Sequence, residues 1–364
     1  MRVAIAGTVG VPARYGGFET LAENLVRHHR VAGRKEEVSV YCSSVGSDRG
    51  ASSFLEAKLR YFPLSANGIS SILYDVLSLL DAVRRREDVV LLLGVSGALI
   101  LPLLRLISRT RIVTNIDGIE WQREKWGKFT QAFLRLSEWS CVRFSHGTIA
   151  DNEVIAQYLR RQYGVDPHMI EYGGDHAVAE SPADVSDLAL PPRYALSLCR
   201  VEPENNLHVV LEAFSRHSNQ SLVAVGNWSD SEYGRYLRSK FDATPNLRFL
   251  DPVYDASRVR AIRDRAWVYI HGHSAGGTNP ALVEMMHFGV PIFAYRCEFN
   301  ISTTESCAYY FRDANELSSL LQQSTDFAAL ESNGRAMLKI AKKRYTWRRI
   351  GAAYFDVLQQ VNYG

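Results

Sequence analysis

The 364-residue sequence has no CxxC pair, no low-complexity tract and no long run of charge of one sign. Its five cysteines, Cys42, Cys141, Cys199, Cys297 and Cys307, are odd in number and scattered. That pattern argues against a disulfide framework or a structural metal and for a reducing compartment. The net charge of +3 is small and evenly spread, and Lys342-Lys343-Arg344 reads as a solvated face, so no nucleic-acid footprint is expected. The longest apolar stretch, Val89 to Leu104, is broken by Gly94, Gly97 and Pro102 and falls short of the roughly 20 residues that span a bilayer. It reads as a buried strand, turn and helix. The opening MRVAIAG carries one charge before a short apolar run and reads as a first strand rather than a signal peptide. A cytoplasmic protein is expected.

What is present is a globular composition, 46% apolar and 22% charged, in a chain too long for one core. Two domains facing across a cleft are the expectation. Strand-like runs at Val3–Ala6, Val38–Cys42, Val89–Leu93, Arg111–Asn115 and Gly147–Ala150 are separated by stretches long enough for crossover helices. The second half repeats the rhythm at Tyr194–Leu198, Ser221–Val225, Leu247–Leu250, Trp267–His271, Pro291–Ala294 and Ala308–Phe311. The fold class is therefore α/β, with two Rossmann-like doubly wound parallel sheets. Turn residues at Tyr172–Asp175 and the proline-bearing segment Ser181–Arg193 place a linker, giving domains 1–180 and 181–346. The apolar stripe of Trp347–Val361 is a terminal helix.

In open α/β sheets ligands sit at the carboxyl ends of strands, where backbone amides hold anions. The loop after the first strand, GTVGVPARYGGFET, puts Gly16-Gly17 where a helix from Phe18 to His29 begins, beside Arg14. Ten residues from Gly7 to Gly17 do not make the short GxGxxG turn of a dinucleotide site, which disfavours a nicotinamide-dependent oxidoreductase. Glu19 sits in the first helical turn, where the helix dipole stabilises a carboxylate whatever its function.

Residues 267–291 read WVYIHGHSAGGTNPALVEMMHFGVP. They parse as a strand to His271, a loop holding His273, Gly276, Gly277 and Thr278, Asn279 as N-cap, Pro280 at the first helical position, and a helix to Phe288 capped by Gly289. The glycine pair lets amides approach a diphosphate, and Glu284, one turn further in, is placed to accept hydrogen bonds from a ribose diol. Arg200 closes the strand Tyr194–Cys199, where a permanently charged guanidinium suits a diphosphate; pairing with Glu202 or Glu204 is the structural alternative.

These residues resemble the retaining family-four glycosyltransferases of the GT-B fold, and more narrowly their bacterial rhamnosyltransferase branch. The resemblance rests on GTVGVPARYGGFET, NIDGIEWQREKW, IADN followed by IAQYL, CRVEPENN, VGNW and HGHSAGGTNPALVE, and covers nearly the whole chain. It implies that Arg14, Gly16 and Gly17 face the donor's pyrophosphate and sugar, that Arg200 binds the pyrophosphate and that Glu284 holds the ribose. The family's lysine near Arg200 is Asn205 here, and its second glutamate falls on Gly276. The resemblance further implies a thymidine diphosphate rhamnose donor, a lipid-linked saccharide acceptor and a role in cell-surface polysaccharide synthesis. It also implies front-face displacement without a protein nucleophile, no metal, no cofactor beyond the nucleotide-sugar co-substrate, and a C-terminal helix returning to the first domain. UDP- or GDP-sugar donors and a catalytically silent sugar-nucleotide-binding protein are the alternatives.

On the acceptor side, Asp117 and Glu120 follow a first-domain strand and are the carboxylates best placed to orient a hydroxyl, while a turn before Gly118 accounts equally for Asp117. Beyond them, Trp126, Phe129, Phe133 and Leu136 recur at helical spacing among Arg123, Lys125, Lys128 and Arg135. The stripe suits either core packing or peripheral contact with an anionic membrane at its inner face.

Overall fold

The computed structural model describes residues 1–14, 16–45, 51–123 and 126–364; Tyr15 of the first loop and Lys125 of the aromatic segment lie outside the described residues. The chain forms two compact units, residues 1–171 with 347–364, and residues 172–346. The division falls earlier than position 180, and the proline-bearing segment read as linker belongs to the second unit. There the Ala183 amide donates to the Ser257 carbonyl at 3.0 Å.

The first unit comprises β1 (Arg2–Ala6), α1 (Gly17–Val31), β2 (Glu37–Ser43), β3 (Ser53–Phe54), β4 (Ala57–Phe62), α2 (Ser70–Arg84) and β5 (Val89–Leu93). It continues through α3 (Leu101–Ile107), β6 (Arg111–Ile116), α4 (Lys128–Phe144), β7 (Gly147–Ala150), α5 (Glu153–Tyr163) and β8 (His168–Met169). The strand order is β3-β4-β2-β1-β5-β6-β7-β8, parallel except at the β3–β4 edge. All five residues of β5, VVLLL, are buried, as a central strand covered on both faces requires. Helix α5 shows the local grammar plainly. The Asn152 side chain accepts from the Val154 amide, and Gly164 ends the helix in a left-handed conformation.

The second unit runs β9 (Tyr194–Leu198), α6 (Leu207–Ser215), β10 (Ser221–Val225), α7 (Glu232–Phe241), β11 (Leu247–Leu250), α8 (Ala256–Asp264) and β12 (Ala266–His271). Then come α9 (Pro280–Met286), β13 (Ile292–Tyr295), α10 (Glu298–Thr303), β14 (Tyr309–Phe311), α11 (Ala314–Gln323) and α12 (Phe327–Arg344). Its sheet, β11-β10-β9-β12-β13-β14, is wholly parallel. The core beneath it includes Phe214, Leu222, Trp228, Ile270 and Phe311. Each fully buried apolar side chain of this size stabilises the fold by about 1.5–3 kcal/mol.

Helix α13 (Trp347–Tyr363) returns to the first unit. The His29 ring lies 5.5 Å from that of Phe355, the Arg34 guanidinium stands 4.8 Å over the same ring, and Gln359 donates to Glu36 at 2.7 Å. One expectation fails: the helical end of the Val89–Leu104 stretch is not buried throughout. Leu101 and Leu104 of α3 pack inward, but Leu99 and Leu103 are exposed. Among the described residues no helix is long and apolar enough to cross a membrane.

Candidate functional site

The loop after β1 is held from below by α1 and α2. Glu23 accepts the Ala13 amide at 2.6 Å, Glu19 accepts the Arg14 amide at 2.9 Å, and the Tyr74 hydroxyl donates to the Thr8 carbonyl at 2.9 Å. Glu19 is buried, so its carboxylate shapes the loop. Gly7 adopts φ +86°, and a Cβ there would stand 2.1 Å from the Leu93 carbonyl oxygen. The loop therefore crosses the end of β5 at a distance only glycine permits. At its tip Arg14, Gly16 and Gly17 are exposed at the start of α1.

In the same unit, the carboxyl ends of β6 and β7 gather a polar cluster. Asn115 donates to the Tyr354 hydroxyl of α13 at 2.9 Å. Burial, and then the charges of Asp151 and Asp117, push the Tyr354 hydroxyl well above its ordinary pKa. Tyr354 thus stays neutral and a hydrogen-bonding group beside two carboxylates. Glu120, three residues beyond Asp117, opens a 3₁₀ turn and pairs with Arg123 at 2.7 Å.

In the second unit, the loops that leave the neighbouring strands β9 and β12 are laced together. Asn206 donates to the Gly272 carbonyl at 2.9 Å, and the Ser274 hydroxyl donates to the Glu204 carbonyl at 2.8 Å. Arg200 is exposed and stands 3.6 Å from Glu202, a separation at which a solvated pair adds little stability and leaves the guanidinium available. Asn205 is buried, and its amide donates to the Arg200 carbonyl at 2.7 Å. It braces the turn instead of reaching outward as a lysine would. His271 is also fully buried, stacked 4.5 Å under the partly exposed His273, and burial lowers its pKa far enough to keep it neutral. The member of that pair that reaches solvent is therefore His273. Its carbonyl is fixed by Asn300 at 2.8 Å.

Beyond this loop Gly276, at φ +108°, faces open space. Gly277 is partly exposed and Thr278 buried, and Asn279 accepts the Ala281 amide at 3.0 Å to cap α9. The helix is shorter than its sequence suggests, ending at Met286 rather than Phe288. Glu284 lies inside it, bonded through one carboxylate oxygen to Arg263 of α8 and with the other 3.3 Å from His176. Burial alone raises a carboxyl's pKa, but the Arg263 charge and His176 outweigh it and hold Glu284 at about 2. An ionised carboxylate retains further lone pairs, so a hydroxyl can still join.

Arg263 and His176 were not legible as partners of Glu284. Arg263 stands among several arginines of α8, distinguished only by lying next to the buried Ala261 and Ile262. Asp151 follows β7 within IADN, and its position at a strand's carboxyl end is the signal that marks it.

Residues 1–175 match the family described as a domain of unknown function, DUF1972. Residues 183–307 match the glycosyl transferases group 1 family. No curated protein matches the chain. Among solved structures, sucrose-phosphate synthase from Thermosynechococcus elongatus is similar over 99% of this chain and 98% of that one, with TM-score 0.82 and 14% identity. Anabaena HepE in complex with UDP-glucose is similar over 99% and 100%, with TM-score 0.73 and 14% identity. Trehalose-6-phosphate synthase OtsA is similar over 99% of both chains, with TM-score 0.74 and 12% identity. At these identities the likeness establishes the GT-B fold and nothing narrower.

Proposed function

We propose that this glycosyltransferase of GT-B fold moves rhamnose from thymidine diphosphate rhamnose onto a prenyl-diphosphate-linked saccharide, at the inner face of the cell membrane, during cell-surface polysaccharide synthesis. The observation that carries the donor half is positional. The glycosyl transferases group 1 match spans 183–307, and within it Arg200, His273 and the Gly276–Asn279 loop sit at the carboxyl ends of adjacent strands, with Glu284 on the helix that follows. HepE, of the same fold, binds UDP-glucose, which supports a nucleotide-sugar donor.

In this reading Arg200 and the loop amides meet the diphosphate as negative charge builds on it, Glu284 receives a hydroxyl of the nucleotide's pentose, and Arg14, Gly16 and Gly17 belong to the donor side. The sugar leaves with retention by front-face displacement, the departing diphosphate taking the acceptor proton. No protein nucleophile is assigned. Asp117, with Asp151 and Tyr354 beside it, orients the acceptor hydroxyl; Glu120 is the weaker choice because Arg123 already occupies it. The open space over Gly276 suits a sugar that needs no carboxylate partner there.

The test is release of nucleoside diphosphate across thymidine, uridine and guanosine diphosphate sugars with a prenyl-diphosphate saccharide acceptor. Turnover is expected with the thymidine donor, falling by about 10²–10³ in kcat for Arg200→Ala. Turnover confined to a uridine or guanosine donor overturns the rhamnose reading.

A further inference from the structure

Helix α4 is built inside out. Its buried residues are Ser137, Glu138, Ser140, Cys141 and Val142, whereas Phe129 is 94% exposed and Leu136 and Trp139 about half exposed. The neighbouring helix α3, which packs beside it and is preceded by a 3₁₀ turn whose Ala98 carbonyl accepts the Ser140 hydroxyl at 2.8 Å, exposes Leu103, Leu106 and Ile107. Isolated exposed apolar side chains need no explanation, but two adjacent helices that both turn them outward form a patch that does.

Among the described residues of these two helices the exposed charge has one sign. Arg105 and Arg109 at α3, and Lys128, Arg135 and Arg143 on α4, are all exposed. The single acid of the two helices, Glu138, is turned inward, where it accepts the hydroxyls of Tyr158 at 2.5 Å and Tyr163 at 2.6 Å. A groove of about 540 Å³ opens on the face, lined by Trp121, Lys128, Gln131, Arg135, Trp139 and Tyr163 among others. Its floor is braced, since the Trp121 indole donates to the Tyr158 hydroxyl at 3.2 Å and the Arg135 guanidinium stands 5.1 Å over the Trp121 ring.

We propose that the α3–α4 face docks on an anionic phospholipid bilayer, its leucines and aromatics entering the headgroup boundary and the groove between Lys128 and Arg135 receiving a lipid phosphate. Apolar side chains ringed by cations, with the acid withdrawn, are complementary to a negatively charged interface. They are poorly suited to self-association: a twofold dimer through this face would set one cationic surface against its own copy. The inference extends the lipid-linked acceptor proposed above, but its test needs neither donor nor acceptor, so each can fail alone.

The full chain is mixed with vesicles of pure phosphatidylcholine or of phosphatidylcholine rich in phosphatidylglycerol, and bound protein is separated by flotation. Strong preference for the anionic vesicles is expected. Lys128→Glu with Arg135→Glu should weaken binding about 30-fold or more, because each basic residue near the surface contributes roughly fivefold. Leu106→Ser with Phe129→Ser should lower binding to the anionic vesicles and leave thermal unfolding unchanged, since both side chains are already in solvent. Equal binding to both vesicle types, or binding indifferent to both double substitutions, overturns the proposal. So does light scattering that finds a dimer dissolved by Phe129→Ser.

Discussion

Arg263→Met isolates the electrostatic support of Glu284. The two side chains are nearly buried, and Glu284 is held at about 2 against an ordinary 4.5. That depression corresponds to about 3 kcal/mol of stability at neutral pH, because each factor of ten in proton affinity is worth ~1.4 kcal/mol. Methionine removes the guanidinium's charge while keeping an unbranched apolar stem, and leaves the buried carboxylate with His176 as its remaining named partner. The folded carboxyl is the stronger acid, so the contribution is complete above pH 4.5, where the unfolded chain is ionised too. It declines as the pH falls and is gone once the pH passes below about 2. The reporters are built in. Met285 and Met286 directly follow Glu284 and have no exposed surface, so peroxide oxidises them only when α9 opens. Their oxidation along a urea series, read by mass spectrometry, gives the stability of this helix apart from that of the first unit. The variant should be destabilised by about 3 kcal/mol at pH 7, and the difference should shrink steadily below pH 4.5. A cost under ~1 kcal/mol, or one that persists undiminished at pH 2, would refute the argument.

Two further perturbations bear on the first unit. Gly7→Ala places a methyl against the Leu93 carbonyl at a φ of +86° and should cost at least ~2 kcal/mol, measured as faster hydrogen exchange in peptides of β1 and β5. Asp75 is buried, and burial raises its carboxyl to about 7 from 3.8. Here the sign reverses: the unfolded chain is the stronger acid, so the penalty is absent below pH 3.8, grows through the interval to 7 and is complete above it. Asp75→Asn should therefore stabilise the unit by about 4 kcal/mol at pH 8 and by nearly nothing at pH 3, in urea unfolding followed through those same peptides.

The strands were readable wherever both faces are buried. Tyr194–Leu198 and Ser221–Val225, each buried at four of its five positions, carry largely apolar runs, and their bounds coincide with the sequence reading. Strand β4, AKLRYF, which lies next to the two-residue edge strand β3, was not read, because Lys58 and Arg60 alternate with its apolar residues and the run looks like a solvated loop. Capping chemistry is local, so Asn279 and Pro280 could be assigned from sequence. The pairing of Glu284 with Arg263 and His176 joins three separate segments, and no spacing encodes it. Asn205 shows the same limit from the other side. Its place opposite the family's lysine suggested a ligand group, while the fold turns the side chain inward to its own turn. The stripe on α4 left core and surface undecided because periodicity gives the angle of a face and not the direction in which it points.

The hydrogen bond between Asn115 and Tyr354 closes over 239 positions. Everything in the second unit is synthesised between its two ends. A ribosome therefore releases β1 to β8 as an unfinished layer, completes a second sheet, and only then delivers the helix that carries Tyr354 and Phe355. Until that moment α1 lacks its cover and the polar cluster beyond β6 lacks its hydroxyl, so the first unit, although first made, is the last to mature. A transcript cut short before Trp347 would yield both sheets and an uncovered apolar seam, the kind of surface that proteolysis and chaperones act on. Helix α13 thus ties completion of the cluster around Asp117, Asp151 and Tyr354 to a segment made only after the whole of the second unit.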